Sequence, residues 1–314
     1  MKYFSFSLFL VLVCLLSCTQ DQEAPRISPS VDLIEMEAEG GVQPIEFTTG
    51  NWIIDRVENV ISDTKIFGDI YSLQNERLHE NVLLGLEDEG MLEAIWLDKG
   101  FTIVRNEQDK LEIRLNENSS GEQFGFRIIL TSESDERVIN VSQKASQGYE
   151  FKQIDYYLEE GDGDSLYWRN GTTMNFNIQT SQEIEFTPIG GIDVNSTYNF
   201  ISEVPDAFVW LETDSVQVKI PVQFQDGEIY FAQEKGLYTA YVQSGKSDFS
   251  EIKETITVDP GYSEYRSEFE MRRRISSYSL LLINNRTKEE KTIRGKLVQI
   301  APTGKFSIIK INND

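Results

Sequence analysis

Apolar and polar residues alternate with the period of a strand through almost the whole chain. Ile34, Met36 and Ala38 share one face, Gly40-Gly41 offers a turn, and Ile45 and Phe47 resume the pattern. Leu111, Ile113 and Leu115 alternate with Glu112, Arg114 and Asn116; Phe124, Phe126, Ile128 and Leu130 follow, then Ile139 and Val141. In the second half, Met174, Phe176 and Ile178 fall on one face. Val216, Val218, Ile220, Val222 and Phe224 run into Asp226-Gly227, a two-residue hairpin turn. Ile252, Ile256 and Val258 keep one parity, with Glu254 interrupting it. No long segment carries apolar residues at helical spacing. Residues 72–93 are the least regular, and a short helix is expected there. Short strands and frequent turns predict an all-β protein of tandem immunoglobulin-like antiparallel β-sandwich domains.

One segment breaks the alternation. Phe4 to Leu16 is apolar except for two serines and follows Lys2. It is too short for the ~20 residues that a membrane-crossing helix needs, and has the form of a secretory signal. It ends on Leu15-Leu16-Ser17-Cys18, which resembles the lipobox of bacterial lipoproteins. That resemblance implies cleavage before Cys18, lipid attachment through the Cys18 thiol and acylation of the new amine, an anchor of several palmitate-type chains. Residues 1–17 are then a signal peptide and 18–30, with Pro25, Ser28 and Pro29, a flexible tether. The expected place is the outer membrane, lipid-anchored at the cell surface. The chain has two cysteines, Cys14 and Cys18. One leaves with the signal and the other carries lipid, which excludes disulfides, thiolate metal sites and cysteine nucleophiles.

The 314 residues are enough for two domains of ordinary size. The polar stretch "QKASQG", Gln143 to Gly148, divides a first domain (31–146) from a C-terminal β-sandwich region (149–314). The second is long for one sandwich and is read as one unit or as two small domains joined near 258–262. The net charge of −23 repels nucleic acid and anionic membrane surfaces.

Residues 31–144 resemble a BACON domain, the Bacteroidetes-associated carbohydrate-binding, often N-terminal module. The features that carry the resemblance are Gly40-Gly41, Asn51-Trp52, Asn116, Arg127 and Val141-Ser142-Gln143. Arg56 to Leu92 is longer than the middle of that family. The resemblance implies an immunoglobulin-like sandwich in a surface protein that handles glycans, with this domain either binding sugar or serving as a spacer. It places Trp52 and Trp96 in the core.

Candidate chemistry is sparse. The lone histidine, His79, excludes a His-x-x-x-His zinc pair. "GDSL", Gly163 to Leu166, copies a serine-esterase block but has no histidine after it, and reads as a hairpin turn. Glu159 to Ser165 crowds four acids among glycines. It is either an oxygen-rich loop for Ca²⁺ or, the favoured reading, a solvated turn. Met271 to Lys296 is the one basic stretch, read as an amphipathic hairpin turning at Asn284 to Glu289, or else as a surface for an anionic glycan or partner. Asp164-Ser165-Leu166 and Asp214-Ser215-Val216 look like O-glycosylation triplets.

Aromatic rings match the flat C–H faces of sugars. Tyr157, Trp168 and Trp210 are the candidate ligand-binding residues, Trp168 standing next to Arg169 and Asn170. Neither cofactor nor catalytic residue is expected. The sequence therefore predicts a non-catalytic surface lipoprotein that binds glycans or supports polysaccharide capture, its partners being the membrane, polysaccharide and outer-membrane glycan-uptake proteins. The alternative is a fimbrillin-like pilin or adhesin subunit assembling by strand exchange.

Overall fold

The computed structural model describes residues 26–133, 135–189, 192, 194–204, 207–208, 216–246, 249 and 252–311. Cys18, the signal segment, Trp210 and the residues Asp214-Ser215 lie outside them. The described elements are strands throughout, as the alternation predicts.

Ten strands precede residue 144: β1 (Leu33–Met36), β2 (Gly41–Glu46), β3 (Ile53–Asn59), β4 (Phe67–Tyr71), β5 (Arg77–Leu83), β6 (Gly90–Ile95), β7 (Gly100–Glu107), β8 (Lys110–Leu115), β9 (Phe124–Thr131) and β10 (Glu136–Gln143). They form a sheet in the order β1-β10-β9-β3 and another in the order β2-β8-β7-β6-β4-β5. All pairs are antiparallel except β1 with β10. The faces that alternate in the sequence meet in one core, with Ile34, Val57, Phe126, Ile128 and Val141 from one sheet against Ile45, Leu92, Phe101, Ile103 and Ile113 from the other. The short helix expected within 72–93 is instead β5 and the start of β6. Residues 77–83 pair with β4, and this edge hairpin leaves their side chains mostly exposed, so no apolar period marks them.

Trp52 is buried, as expected. Its indole N–H donates to the Thr49 carbonyl at 2.8 Å, and the Arg105 guanidinium lies 4.0 Å from its ring. Trp96 is not a core residue. It packs edge-on against Phe124 at 5.7 Å but stays 41% exposed, because it follows the last paired residue of β6. The Gln143 side chain is fully buried and donates to the carbonyls of Asn116 (2.7 Å) and Ala38 (3.0 Å), tying β8 to the turn after β1. In that turn Gly40 sits at φ +78°, and a Cβ there would come within 2.2 Å of the Leu115 carbonyl oxygen. Only glycine fits.

The second half contains β11 (Tyr149–Tyr157), β12 (Gly163–Ile178), β13 (Gln182–Phe186), β14 (Asn195–Ser202), β15 (Gln217–Gln225), β16 (Glu228–Leu237), β17 (Gln243–Lys246), β18 (Glu254–Val258), β19 (Gly261–Asn284) and β20 (Glu290–Ile311). The hairpin β19–β20 is its backbone; the 24 residues of β19 span about 80 Å at ~3.3 Å per residue. The sheet runs β11-β19-β20-β14-β17, and β12 takes the same edge of β19 beyond the end of β11. Residues on both sides of 258–262 thus share one sheet, and that segment is a turn into β19 rather than a join between bodies.

The buried side of this sheet changes along its length. From Ser263 to Met271 the odd residues of β19 are buried; from Arg274 to Asn284 the even ones are. The even face packs under the β15–β16 ribbon, with Phe200, Val218, Ile220, Tyr238, Tyr278, Leu280 and Leu297 as its core. The odd face packs against the β13–β18 ribbon through Phe186, Val258, Tyr265, Met174 and Phe176. Between them Ile189, Val194, Phe269 and Met271 form a small cluster.

The two groups of sheets meet through polar contacts. Glu39 accepts from Asn284 (3.0 Å) and Arg286 (2.9 Å), and Glu117 accepts from the Tyr149 hydroxyl and from Lys291, each at 2.6 Å. Burial alone would raise the Glu39 carboxyl, but hydrogen bonds from Arg286 and Asn284 outweigh it, leaving the group below the ordinary carboxylate range.

Two predictions follow from these contacts. Gln143→Leu removes the side-chain donor of the Asn116 carbonyl, while the Ala38 carbonyl keeps the Asn118 amide at 2.7 Å, and should cost about 1 kcal/mol in urea unfolding, with the fold retained. At the junction, a depressed Glu39 stabilises above its unfolded value near ~4.3, and that contribution vanishes as pH falls through the lower folded value. Small-angle scattering should therefore record a more extended particle once the pH is taken below the lowered folded value of Glu39 than at about pH 7, and Glu39→Gln/Glu117→Gln should extend it at neutral pH.

Candidate functional site

The acidic stretch holds a tight turn, with the Asp162 amide donating to the Glu159 carbonyl at 3.0 Å, but Gly163 to Leu166 is strand and not a hairpin turn. β11 and β12 run in the same direction along the same edge of β19, from the Tyr157↔Ser277 pair to the Gly163↔Ile275 pair, so the loop is an excursion within one long edge. Two of its carboxylates share one cation, Lys296, and a third has its own. Asp162 accepts from Lys296 (3.0 Å) and from the backbone N–H of Ser277 (3.0 Å), and Glu159 accepts from Lys296 (2.8 Å). The Lys296 and Ser277 bonds hold the Glu159 carboxyl low. At Asp162, burial pushes upward but the bonds from Ser277, the Glu159 amide and Lys296 prevail. Asp164 takes both arms of the Arg274 fork at 2.6 Å each. Glu159 and Asp162 converge on Lys296 and the Ser277 hydroxyl, and no cluster of three metal-ligating side chains occurs among the described residues.

Arg274 is buried and its guanidinium lies 4.6 Å from the Phe224 ring at the tip of the β15–β16 ribbon. Much of the basic stretch Met271 to Lys296 is spent on such contacts: Arg274 on Asp164, Arg286 on Glu39, Lys291 on Glu117 and Lys296 on Asp162. It forms the expected hairpin, with Ile283 opposite Glu290. His79 stands exposed in β5, and Ser165 of "GDSL" stands exposed in β12.

Tyr157 and Trp168 do not share a site. Tyr157 pairs with Ser277 and Trp168 with Glu270, seven positions apart on β19. That is about 23 Å along the strand, and the odd separation puts them on opposite faces. Trp168 is 51% exposed and shares its face with Leu166, which is 57% exposed. Their face is open because the ribbon above it ends near Phe224 while the sheet's covered side has changed over. Leu166 pairs with Arg272, which lines a cleft of about 250 Å³ together with Ser196, Tyr198 and Gln299. Indole, guanidinium and hydroxyl groups thus stand on one open face.

The residue facing the ribbon is Tyr156, not Tyr157. Its ring lies 5.6 Å from that of Phe231 on β16, and both line a groove of about 430 Å³ with Ile154, Lys219 and Lys235. The Tyr156 hydroxyl is buried and has no hydrogen-bond partner. Burial pushes it far above the ordinary tyrosine value, so it remains a neutral donor. Phe231 and the two lysines carried no signal in the sequence beyond membership of a hairpin.

A third hollow, of about 530 Å³, adjoins the Asn51-Trp52 pair and is rimmed by Glu87, Asp88 and Glu89. Here Arg105 is buried and donates to the carbonyls of Glu87 (2.9 Å), Gly50 (3.1 Å) and Gln108 (3.1 Å). Its donors serve the backbone, which fits a structural role, and burial draws the guanidinium below its ordinary value.

No family model and no curated protein matches the chain. Solved structures similar to it include a protein from Bacteroides thetaiotaomicron determined by NMR, at 15% identity over 43% of this chain and 98% of that one, with a TM-score of 0.29. A lamprey immune protein is 8% identical over 91% of this chain and 90% of that one, at a TM-score of 0.34. The parasporin-2 toxin of Bacillus thuringiensis is 9% identical over 60% of this chain and 75% of that one, at a TM-score of 0.32.

Proposed function

We propose that the chain is a non-catalytic, lipid-anchored surface protein that holds glycans. In this reading Cys18 carries the lipid, residues 31–146 space the body from the outer membrane, and the long C-terminal sheet takes the sugar. The observation that supports it is the open Trp168–Leu166 face beside the Arg272 cleft. A half-exposed indole offers a stacking surface, and planar polar groups at its margin suit vicinal hydroxyls.

A second reading rests on a different feature. β12 is sixteen residues long, and among the described strands β19 is its one partner; Pro188 meets its other edge at Thr172. Such an edge invites strand addition, as in a pilin or adhesin subunit.

Affinity gels decide between them. On gels containing neutral polysaccharides, the wild-type chain should be retarded and Trp168→Ala should lose at least about tenfold in retention, the equivalent of ~1.4 kcal/mol. Equal retention of both defeats the glycan reading, and filaments seen by electron microscopy for the anchored chain support assembly instead. In cells, Cys18→Ser should move the protein from the membrane to the soluble fraction.

A further inference from the structure

We infer that the groove between β11 and the β15–β16 ribbon is a second binding site, and that it takes an anionic saccharide, a sugar unit carrying a carboxylate or sulfate. This goes beyond the Trp168 face, which lies eight positions further along β19 than Tyr156.

The first observation is a pair of like charges. Lys219 and Lys235 stand directly opposite each other in the β15–β16 ladder. Like charges in that relation repel and destabilise a hairpin. Neither lysine has a carboxylate within salt-bridge distance among the described residues, in a chain with 52 acids. The pairing is also not what the turn dictates. Counting back from Gln225↔Glu228, an unbroken ladder sets Lys219 opposite Glu234. Two irregularities flanking Pro221 shift the register by one and replace that attractive pair with a repulsive one. Bulges of this kind re-aim side chains and are characteristic of functional positions.

The second observation is what the lysines border. The groove of about 430 Å³ falls in the range of small-molecule sites, and its wall is the Tyr156–Phe231 pair, with Phe231 exposed. Gln217 also lines it, and the buried Tyr156 hydroxyl lacks an acceptor. An aromatic wall suits the C–H face of a sugar ring; the two ammonium groups supply counter-charge to one anionic substituent. A bilayer would have to approach the whole body of net charge −23, whereas a saccharide strand need meet only the groove.

The test uses the chain lacking only its signal peptide, in affinity gels and calorimetry with polygalacturonate and heparin, and with dextran as the neutral control. Wild type should bind one or both acidic polymers, with binding falling as sodium chloride rises from about 50 to about 500 mM. Lys219→Gln/Lys235→Gln should weaken that binding at least tenfold, and Phe231→Ala should do so through the wall. Lys235→Glu should raise the melting temperature, by relieving the repulsion, while abolishing acidic-polymer binding. Trp168→Ala should leave this binding unchanged, so the two sites fail separately. The inference is overturned if the double lysine variant binds the acidic polymers as wild type does, if wild type binds neither, or if phosphatidylserine vesicles displace them.

Discussion

A β-sheet can be covered on either side, but each residue commits its side chain to one side only. The C-terminal half depends on how β19 and β20 meet that constraint over some 80 Å. One cover cannot follow a twisting ribbon of that length, so the two small ribbons take opposite faces at opposite ends: β15–β16 over the even residues of β19, β13–β18 over the odd. The changeover lies at Arg272 and Arg273, which are not fully buried on either side. Where one cover ends before the other begins, a strip of sheet is left open. Trp168 and Leu166 are exposed for that reason, and the cleft at Arg272 is part of the same strip.

The same constraint explains the chemistry of the groove. The β15–β16 ribbon must seat Val218 and Ile220 in the core while passing Pro221, which has no N–H for the ladder. The ladder slips on both sides of that proline, and the slips bring Lys219 and Lys235 face to face. The ribbon continues to Phe224, which covers the buried Arg274 and lets its fork hold Asp164. Core packing, the edge loop and the groove are therefore consequences of one ribbon's path.

Elements whose partner is near in sequence, or whose alternation is strong, were legible from residues alone. Val216 to Phe224 with Asp226-Gly227 is a hairpin, Met174 to Ile178 is a strand against Tyr265, and Asn284 to Glu289 turns β19 into β20. What escaped was decided at long range. Nothing local tells that Tyr157 and Gly163 lie along one edge, because their common partner is more than a hundred residues away. Gly163 to Leu166 therefore read as a hairpin turn, and Tyr157 and Trp168 as neighbours. Residues 72–93 escaped for the opposite reason: an exposed edge hairpin buries too little to impose a period. The lysine pair was hidden by register. From the turn alone, Lys219 belongs opposite Glu234, and only the slips reveal otherwise.

The junction gives the proposed spacer a geometry. Its C-terminal partners, Tyr149, Asn284, Arg286 and Lys291, all sit at one end of the long hairpin, at the β19–β20 turn and the start of β11. Trp168 pairs with Glu270, fourteen positions from Asn284, or about 46 Å along the strand. The first sandwich therefore caps the near end of the sheet and leaves both candidate faces beyond it. The cap is held by carboxylates against cations and a phenol rather than by apolar area, which is how domains joined for relative motion tend to meet. Charged contacts at one end thus leave the open faces along the rest of the sheet clear of the first sandwich.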